Sequence, residues 1–348
     1  MTTNFKIVGK IMKPKEDSNW YEVKKNDKGE TSLLNFNVKS NSNVFRMNLM
    51  GYLANDESAR IVYAFKKENG KNVKCNFLYS EKDKYISELA EFSKMVLAEG
   101  NDRLEFCHNV DFIKCLFEQI ATEKIIDIPI RIDGEIEYST YTNKEGKEVQ
   151  GKKYIPKRMY ILNEETDEVS EANIELLFDE NSILNGETDE IMVVNGKVAR
   201  YNSKVKKETL FEETVEFDFT GKGNKAINVM KNKLKLEEKE IGKLNKLGVK
   251  VDLIRGSEDI ELTRDMLSDE ENDLIDLGLM TIEELKREKG MGKGAFREKN
   301  IFKGLARGYS SGATLTDKTE KDYEIKIDMD VNDVFGNTEV INEDDIPF

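Results

Sequence analysis

Short segments of period-two alternation, broken once by a stretch of helical period, constrain the fold of this chain more than any other feature. From Thr31 to Val38, the residues Leu34, Phe36 and Val38 fall on one face. Val44 to Leu53 follows, rich in Phe45, Met47, Leu49 and Tyr52. Ile128, Ile130 and Ile132 alternate up to Gly134, and Ile136 and Tyr138 continue the pattern. Tyr154 to Leu162 forms the return segment. Such alternation describes strands with one buried face. In the opening segment, Phe5 to Met12, Gly9 marks a bulge or tight bend of the kind found at the corner of a small barrel. Asn26-Asp27-Lys28-Gly29 reads as a turn. Glu68-Asn69-Gly70-Lys71 reads as the hairpin between strands at 61–65 and 73–79.

Between residues 82 and 122 the period changes. Tyr85, Ile86, Leu89, Phe92, Met95 and Val96 recur at helical spacing, as do Phe112, Ile113, Leu116, Phe117 and Ile120. The pattern predicts two helices separated at Gly100-Asn101. Short strands, a helical crossover and a long basic hairpin suit a five-stranded oligonucleotide-binding (OB) barrel, with any small mixed β domain as the alternative. The fold class is thus α+β: an N-terminal OB-fold β-barrel over 1–165 with a helical insertion at about 82–122, then a mixed β/helical domain over 171–315, then a disordered acidic tail over 326–348. In the second domain, Ile191 to Val194, a turn at Asn195-Gly196, Val198 to Tyr201 and Leu210 to Phe219 read as β structure. Ala226 to Leu247 reads as helix, with Ile227, Met230, Leu234, Ile241 and Leu244 as its core. Ser268-Asp269-Glu270-Glu271 and Thr281-Ile282-Glu283-Glu284 are capping boxes. No internal repeat stands out.

Charge is segregated along the chain. The net charge is −14, which taken alone argues against a polyanionic ligand. Residues 1–80, however, carry 14 Lys/Arg against 8 Asp/Glu, and residues 128–162 carry 7 against 5. Residues 328–348 carry 7 acids and no base. Local field rather than total charge decides where a phosphate chain sits. Three cysteines, Cys75, Cys107 and Cys115, and one histidine, His108, match no zinc spacing, so no metal and no cofactor is expected. No phosphate-loop motif occurs, and no apolar run reaches the length of a membrane span. A cytoplasmic protein with no membrane partner is expected.

The last residues, Glu343-Asp344-Asp345-Ile346-Pro347-Phe348, set a run of acids before an apolar pair split by proline. Pro347 holds Ile346 extended, so the tip cannot close into a helix. A terminal aromatic beside a free carboxylate suits capture by another protein. Asp344-Asp345-Ile346-Pro347-Phe348 resembles the acidic tip of bacterial and phage single-stranded DNA-binding proteins. Ile132 to Tyr141 is similar to the fourth barrel strand of that family, Thr142 to Glu148 to its loop between strands four and five, and Phe5 to Lys10 to its opening strand. The resemblance covers residues 1–165 loosely, and the tip. It implies a non-enzymatic protein, phage-like in its size and extra domain, that coats single-stranded DNA in replication, recombination and repair. It also implies that the tip recruits proteins such as a polymerase, helicase, primase or recombinase. Glu135, Glu137 and Ser139 depart from the family pattern, which places basic or other polar residues there, so these positions are expected to turn away from DNA.

Single-strand binding needs aromatic faces for bases and cations for phosphates. Tyr141 matches an aromatic position in the family and leads the stacking candidates, ahead of Trp20, Tyr21, Tyr138 and Tyr154. Phe36, Phe45 and Phe77 read as core. Lys10, Lys13, Lys15, Lys24, Lys25, Arg46, Lys144, Lys147, Lys152, Lys153, Lys157 and Arg158 are the candidate phosphate contacts, although a lone lysine is equally well explained as a solvated charge. The glycine-basic loops 221–225 and 290–294 present backbone amides or simply punctuate helices. Two rival functions stand. One is an acidic DNA mimic that binds a nucleic-acid enzyme. The other is a metal-dependent nuclease or primase using Asp252, Asp259, Glu261 and Asp265, carboxylates that capping chemistry explains more simply.

Overall fold

The apolar face of each alternating segment turns inward and closes two barrels in one chain. The structure is a computed structural model. It describes residues 3–15, 18–143, 145–164, 166–186, 188–202, 206–234, 242–257, 264, 267–282, 284–285 and 296–324. The tail from 325, Lys144, Asp259, Glu261, Asp265 and the 290–294 loop lie outside the described residues.

The first barrel opens with β1 (Asn4–Ile11), β2 (Tyr21–Lys25), β3 (Gly29–Ser40) and β4 (Asn43–Ala54). A side hairpin follows, β5 (Ile61–Glu68) and β6 (Lys71–Leu78), then one turn of helix, α1 (Lys82–Tyr85), and a second hairpin, β7 (Met95–Glu99) and β8 (Asp102–Phe106). Helix α2 (Asn109–Ala121) leads to a long ribbon, β9 (Pro129–Thr142) and β10 (Glu148–Ile161). The barrel strands close in the order β1-β3-β4-β10-β9-β1, with β4 and β10 parallel and the other pairs antiparallel. This is OB-like connectivity, with α2 as the crossover between the third and fourth barrel strands. Phe112, Ile113, Leu116 and Ile120 of α2 plug the barrel, joined there by Phe45, Met47 and Ile132.

The second half repeats the circuit. Its elements are β11 (Val169–Phe178), β12 (Ile183–Asn185), β13 (Ile191–Asn202), β14 (Lys207–Asp218), α3 (Gly223–Leu234), β15 (Lys243–Ser257), α4 (Asp269–Asp276), β16 (Phe296–Leu305) and β17 (Thr314–Thr319). The order is β11-β13-β14-β16-β15-β11, again with one parallel pair, β14–β16. Helix α3 takes the place of α2. The correspondence reaches single residues: Ile7 pairs with Ile132 as Ile174 pairs with Val249. The ribbon bulge that skips Lys157 in the first barrel skips Lys303 in the second. The two first strands, β1 and β11, pair antiparallel from Asn4↔Asn173 to Val8↔Val169 and fuse both barrels into one sheet.

Several expectations need correction. Beyond the single turn α1, residues 86–96 form short turns and the start of β7, not a continuous helix. Ala90 donates to Phe65 O and Ser93 Oγ accepts from Phe65 N–H, so this backbone is committed to the side hairpin. Met95–Glu99 is then drawn into parallel pairing with β10. Tertiary pairing has overridden a helical pattern, as it often does. The second predicted helix is present as α2. Helix α3 is described as far as Leu234, residues 235–241 lie outside the described residues, and Leu244 and Leu247 belong to strand β15. There Leu247, Val249, Val251 and Leu253 are all buried on the period-two face. Asn195-Gly196 is not a turn but lies inside β13. Gly196 is needed because a Cβ there would sit 3.0 Å from Leu177 O. The sequence shows no repeat, but the topology does.

Candidate nucleic-acid interface

A groove of about 1260 Å³ runs between the two barrels. One wall is the outer face of the first barrel. There Leu33 and Asn35 of β3 stand beside Arg46, Asn48 and Met50 of β4, with the β9–β10 ribbon continuing the surface. The other wall is the second barrel, through Glu212 to Glu216 of β14, Arg255 of β15 and Glu298 to Asn300 of β16. Alternation explains the first wall. Phe45, Met47 and Leu49 point into the core, so Arg46, Asn48 and Met50 must point out. Asn48 Nδ2 donates to Asn35 Oδ1 at 2.6 Å across the strand pair.

Tyr141 stands at the rim, 44% exposed. Its ring lies across Gly151 of the neighbouring strand, since a Cβ on Gly151 would come within 3.1 Å of a ring carbon. The glycine leaves room for the ring, which a side chain at 151 would crowd. Arg46 and Lys153 flank this wall. Both are exposed, and neither makes an ion pair to a described residue.

The floor is a buried polar network that ties the barrels together. Glu213 is 3% exposed. Its carboxylate accepts from Tyr138 Oη at 2.6 Å, Lys152 Nζ at 2.8 Å and Asn300 Nδ2 at 2.7 Å. Glu298 lies 3.4 Å from the same ammonium. Burial, with the Glu213 charge beside it, pushes the Tyr138 phenol well above its ordinary range. Burial pulls the Lys152 ammonium down, but Glu213 and Glu298 outweigh it, and the net shift is upward. Lys152 is therefore a charged structural strut.

The groove brings together Arg46, Tyr138, Tyr141, Lys152 and Lys153 from the sequence-derived set. Two of the five aromatics are core residues and require correction. Tyr154 is 2% exposed, held edge-on by Phe5 and Phe45, each with a centroid separation of 5.4 Å. Tyr138 is 6% exposed and its hydroxyl is spent on Glu213. Trp20 and Tyr21 pack on Phe117 of α2 at 5.2 and 4.0 Å and anchor β2 to the helix. The other cations lie elsewhere. Lys10 is half-buried in β1. Lys13 pairs with Glu123, Lys24 with Glu22, Lys25 with Glu30 and Lys147 with Glu145. Arg158 donates to Glu91 O at 3.0 Å beside β7. The tip residues Asp344, Asp345, Ile346, Pro347 and Phe348 fall outside the described residues. Conversely, Glu137 and Ser139, expected to face away, do line the groove. Asn35, Asn48, Met50 and Gln150 were missed. Their signal was present in the sequence as the outward half of the alternation that located the core.

The walls differ in charge. On the first barrel, the outward residues of the β3–β4 pair run Thr31, Leu33, Asn35, Asn37 and Lys39 against Tyr52, Met50, Asn48, Arg46 and Val44, with no carboxylate. The equivalent face of the second barrel carries Glu208, Glu212, Glu216 and Asp218 on β14. It is also covered by the chain itself. Tyr323 is buried with Leu177 and Leu244 against Ala199 and Leu210. Glu320 pairs with Lys197 at 2.6 Å, and Lys318 with Glu208 at 2.8 Å. Asp252, a carboxylate considered for metal, accepts from Lys303 at 3.0 Å. Among the described residues no cluster of potential metal ligands occurs, and no helix is long and apolar enough to cross a membrane.

The sequence family described as YorF matches residues 116–251, from within α2 through the junction of the barrels into β15. No curated protein matches the chain. Among solved structures, a deletion mutant of the single-stranded DNA-binding protein from Thermus aquaticus aligns with a TM-score of 0.33 at 11% identity, over 73% of this chain and 87% of that one.

Proposed function

We propose that this chain is a non-enzymatic single-stranded DNA-binding protein that holds its ligand along the first-barrel wall of the groove. The observation that carries this reading is Tyr141. Its ring lies against Gly151 and is 44% exposed, at the rim of the groove whose β3–β4 pair is carboxylate-free, with Arg46 and Lys153 on the same wall and Glu137 opposite Lys153. Bases stack on the ring regardless of sequence, and the two cations meet phosphates. The second barrel is the support. Its corresponding face is acidic and covered by residues 320–323, so each chain binds through one barrel. The acidic tip docks replication or recombination proteins, and the tail competes with DNA for the basic wall. A phage origin and a role in replication, recombination and repair fit this reading.

The test is fluorescence anisotropy of labelled oligo-dT, with duplex DNA as control and a salt titration. Tight, salt-sensitive binding to the single strand is expected. Tyr141→Ala should weaken it by about 1–3 kcal/mol, the worth of one stacked base. Arg46→Ala should lower the salt slope by about 0.7, the value for one phosphate contact on a single strand. Removing residues 328–348 should tighten binding at low salt, with the gain vanishing as salt screens the tail. No binding by the full chain or the tail-less chain would overturn the proposal. The acidic wall of the second barrel favours one alternative in that case, a DNA mimic whose target is a nucleic-acid enzyme.

A further inference from the structure

The side hairpin β5–β6 forms a two-stranded sheet of its own, outside both barrels, and bridges only to the 89–93 segment among the described residues. Its inner face is closed by Val62, Ala64 and Phe77. Its outer face is not closed. Tyr63 is 77% exposed, and Phe92, from the turn at 91–93, is 55% exposed with its ring 5.3 Å from that of Phe65. Lys67 and Lys74 stand among these rings on the same face, since Phe65 pairs with Lys74 and Lys67 with Asn72. Three carboxylates, Glu68, Glu88 and Glu91, line a hollow beside Lys67. Glu68 belongs to the other side and pairs with Lys66, and Glu91, next to Phe92, is engaged by Arg103. An apolar surface built for a protein partner does not require two lysines among its aromatics. A single strand requires both, rings for its bases and ammonium groups for its phosphates.

Position supplies the second argument. Arg60 Nε donates to Ala54 O at 2.6 Å, and Tyr79 N–H donates to Arg60 O at 2.8 Å. The first bond ties the base of the hairpin to the end of β4, the strand whose outer face forms the groove wall, and the second closes that base. We propose that the Tyr63–Phe65–Phe92 face, with Lys67 and Lys74, is a second stacking platform for the same single strand beyond the groove. This rests on the groove reading and adds to it the statement that the insertion lengthens the binding site.

The experiment compares the full chain with its Tyr63→Ala/Phe92→Ala variant on two oligo-dT lengths. One, of about 8 nucleotides, fits within a single OB fold, and the other, of about 35, outruns it. Both side chains are exposed, so the variant keeps its core. The long oligonucleotide should lose at least about five-fold in affinity, the effect of one lost stacking contact, and the short one should be unchanged. A Tyr63→Trp reporter in a Trp20→Phe background should be quenched by the long oligonucleotide alone. Unchanged binding of both lengths overturns the platform and leaves the groove reading intact. Equal loss at both lengths also overturns it, because the residues would then belong to the principal site. Failure of the unmodified chain to bind either length overturns both readings.

Discussion

Glu213 is the residue on which the seam between the barrels depends. It is an anion at the bottom of the groove with three donors directed at it, two from the first barrel and one from the second. Glu213→Ala would leave the Tyr138 phenol without its acceptor and the Lys152 ammonium with only the longer contact to Glu298, and a loss of about 3 kcal/mol is expected, the lower end for a broken buried ion pair. Glu213→Gln should cost less, because it keeps the shape and one acceptor. Urea unfolding of the three proteins measures the difference. His108 makes a smaller and pH-dependent contribution. Its Nδ1 accepts from Val110 N–H and caps α2, which requires the neutral ring. Burial lowers its pKa from the ordinary 6.5, Asp111 opposes, and Lys82 adds to the lowering. The sign follows from the depressed value. The stabilisation is complete above pH 6.5 and is lost as pH falls through the lower folded-state pKa. Stability should therefore drop between pH 7.5 and 5.5 by about 1 kcal/mol, the worth of a cap. In His108→Asn, which caps without titrating, the drop should be absent.

At the level of elements, the β9–β10 ribbon builds the proposed binding surface from a turn signal and a glycine. Gly151→Val should displace the Tyr141 ring while leaving the ladder paired. Oligonucleotide affinity should fall about as far as in Tyr141→Ala, with little change in thermal midpoint. Strands proved legible where alternation was clean. Leu34, Phe36 and Val38 are all core, and Asn69-Gly70 turns with positive φ at both residues as the hairpin requires. The run through Met95 and Val96 was not legible. Its spacing satisfies a helix, and pairing with β8 on one side and the distant β10 on the other makes it a strand. Tyr154 was misplaced for a related reason: an aromatic on a strand has two faces to choose from, and its chain neighbours alone do not say which is inside. Tyr141 stands out in the sequence because it precedes the hairpin loop and matches an aromatic position in the family that the sequence resembles, and it is exposed in the structure.

For the molecule as a whole, the ladder between β1 and β11 makes one folding unit of two barrels. A fragment of residues 1–165 would leave the β1 edge from Asn4 to Val8 open, along with Tyr138 and Lys152 deprived of Glu213. Open edges recruit other strands, so the fragment should self-associate in sedimentation velocity, whereas the full chain should not do so through this edge. The repeated topology escaped a sequence reading because the two halves keep burial and connectivity but not residue identity. The repeat is visible only in pairings such as Ile7 with Ile132 and Ile174 with Val249. Covalent linkage of the two barrels has a further consequence. When two separate chains meet through their first strands, the meeting is bimolecular, and dilution takes the assembly apart. Here both strands belong to one polypeptide, so their encounter occurs at an effective concentration fixed by the few residues between β10 and β11. The groove is thus fully formed at the first copy made, and it needs no threshold of expression before it can take up a ligand.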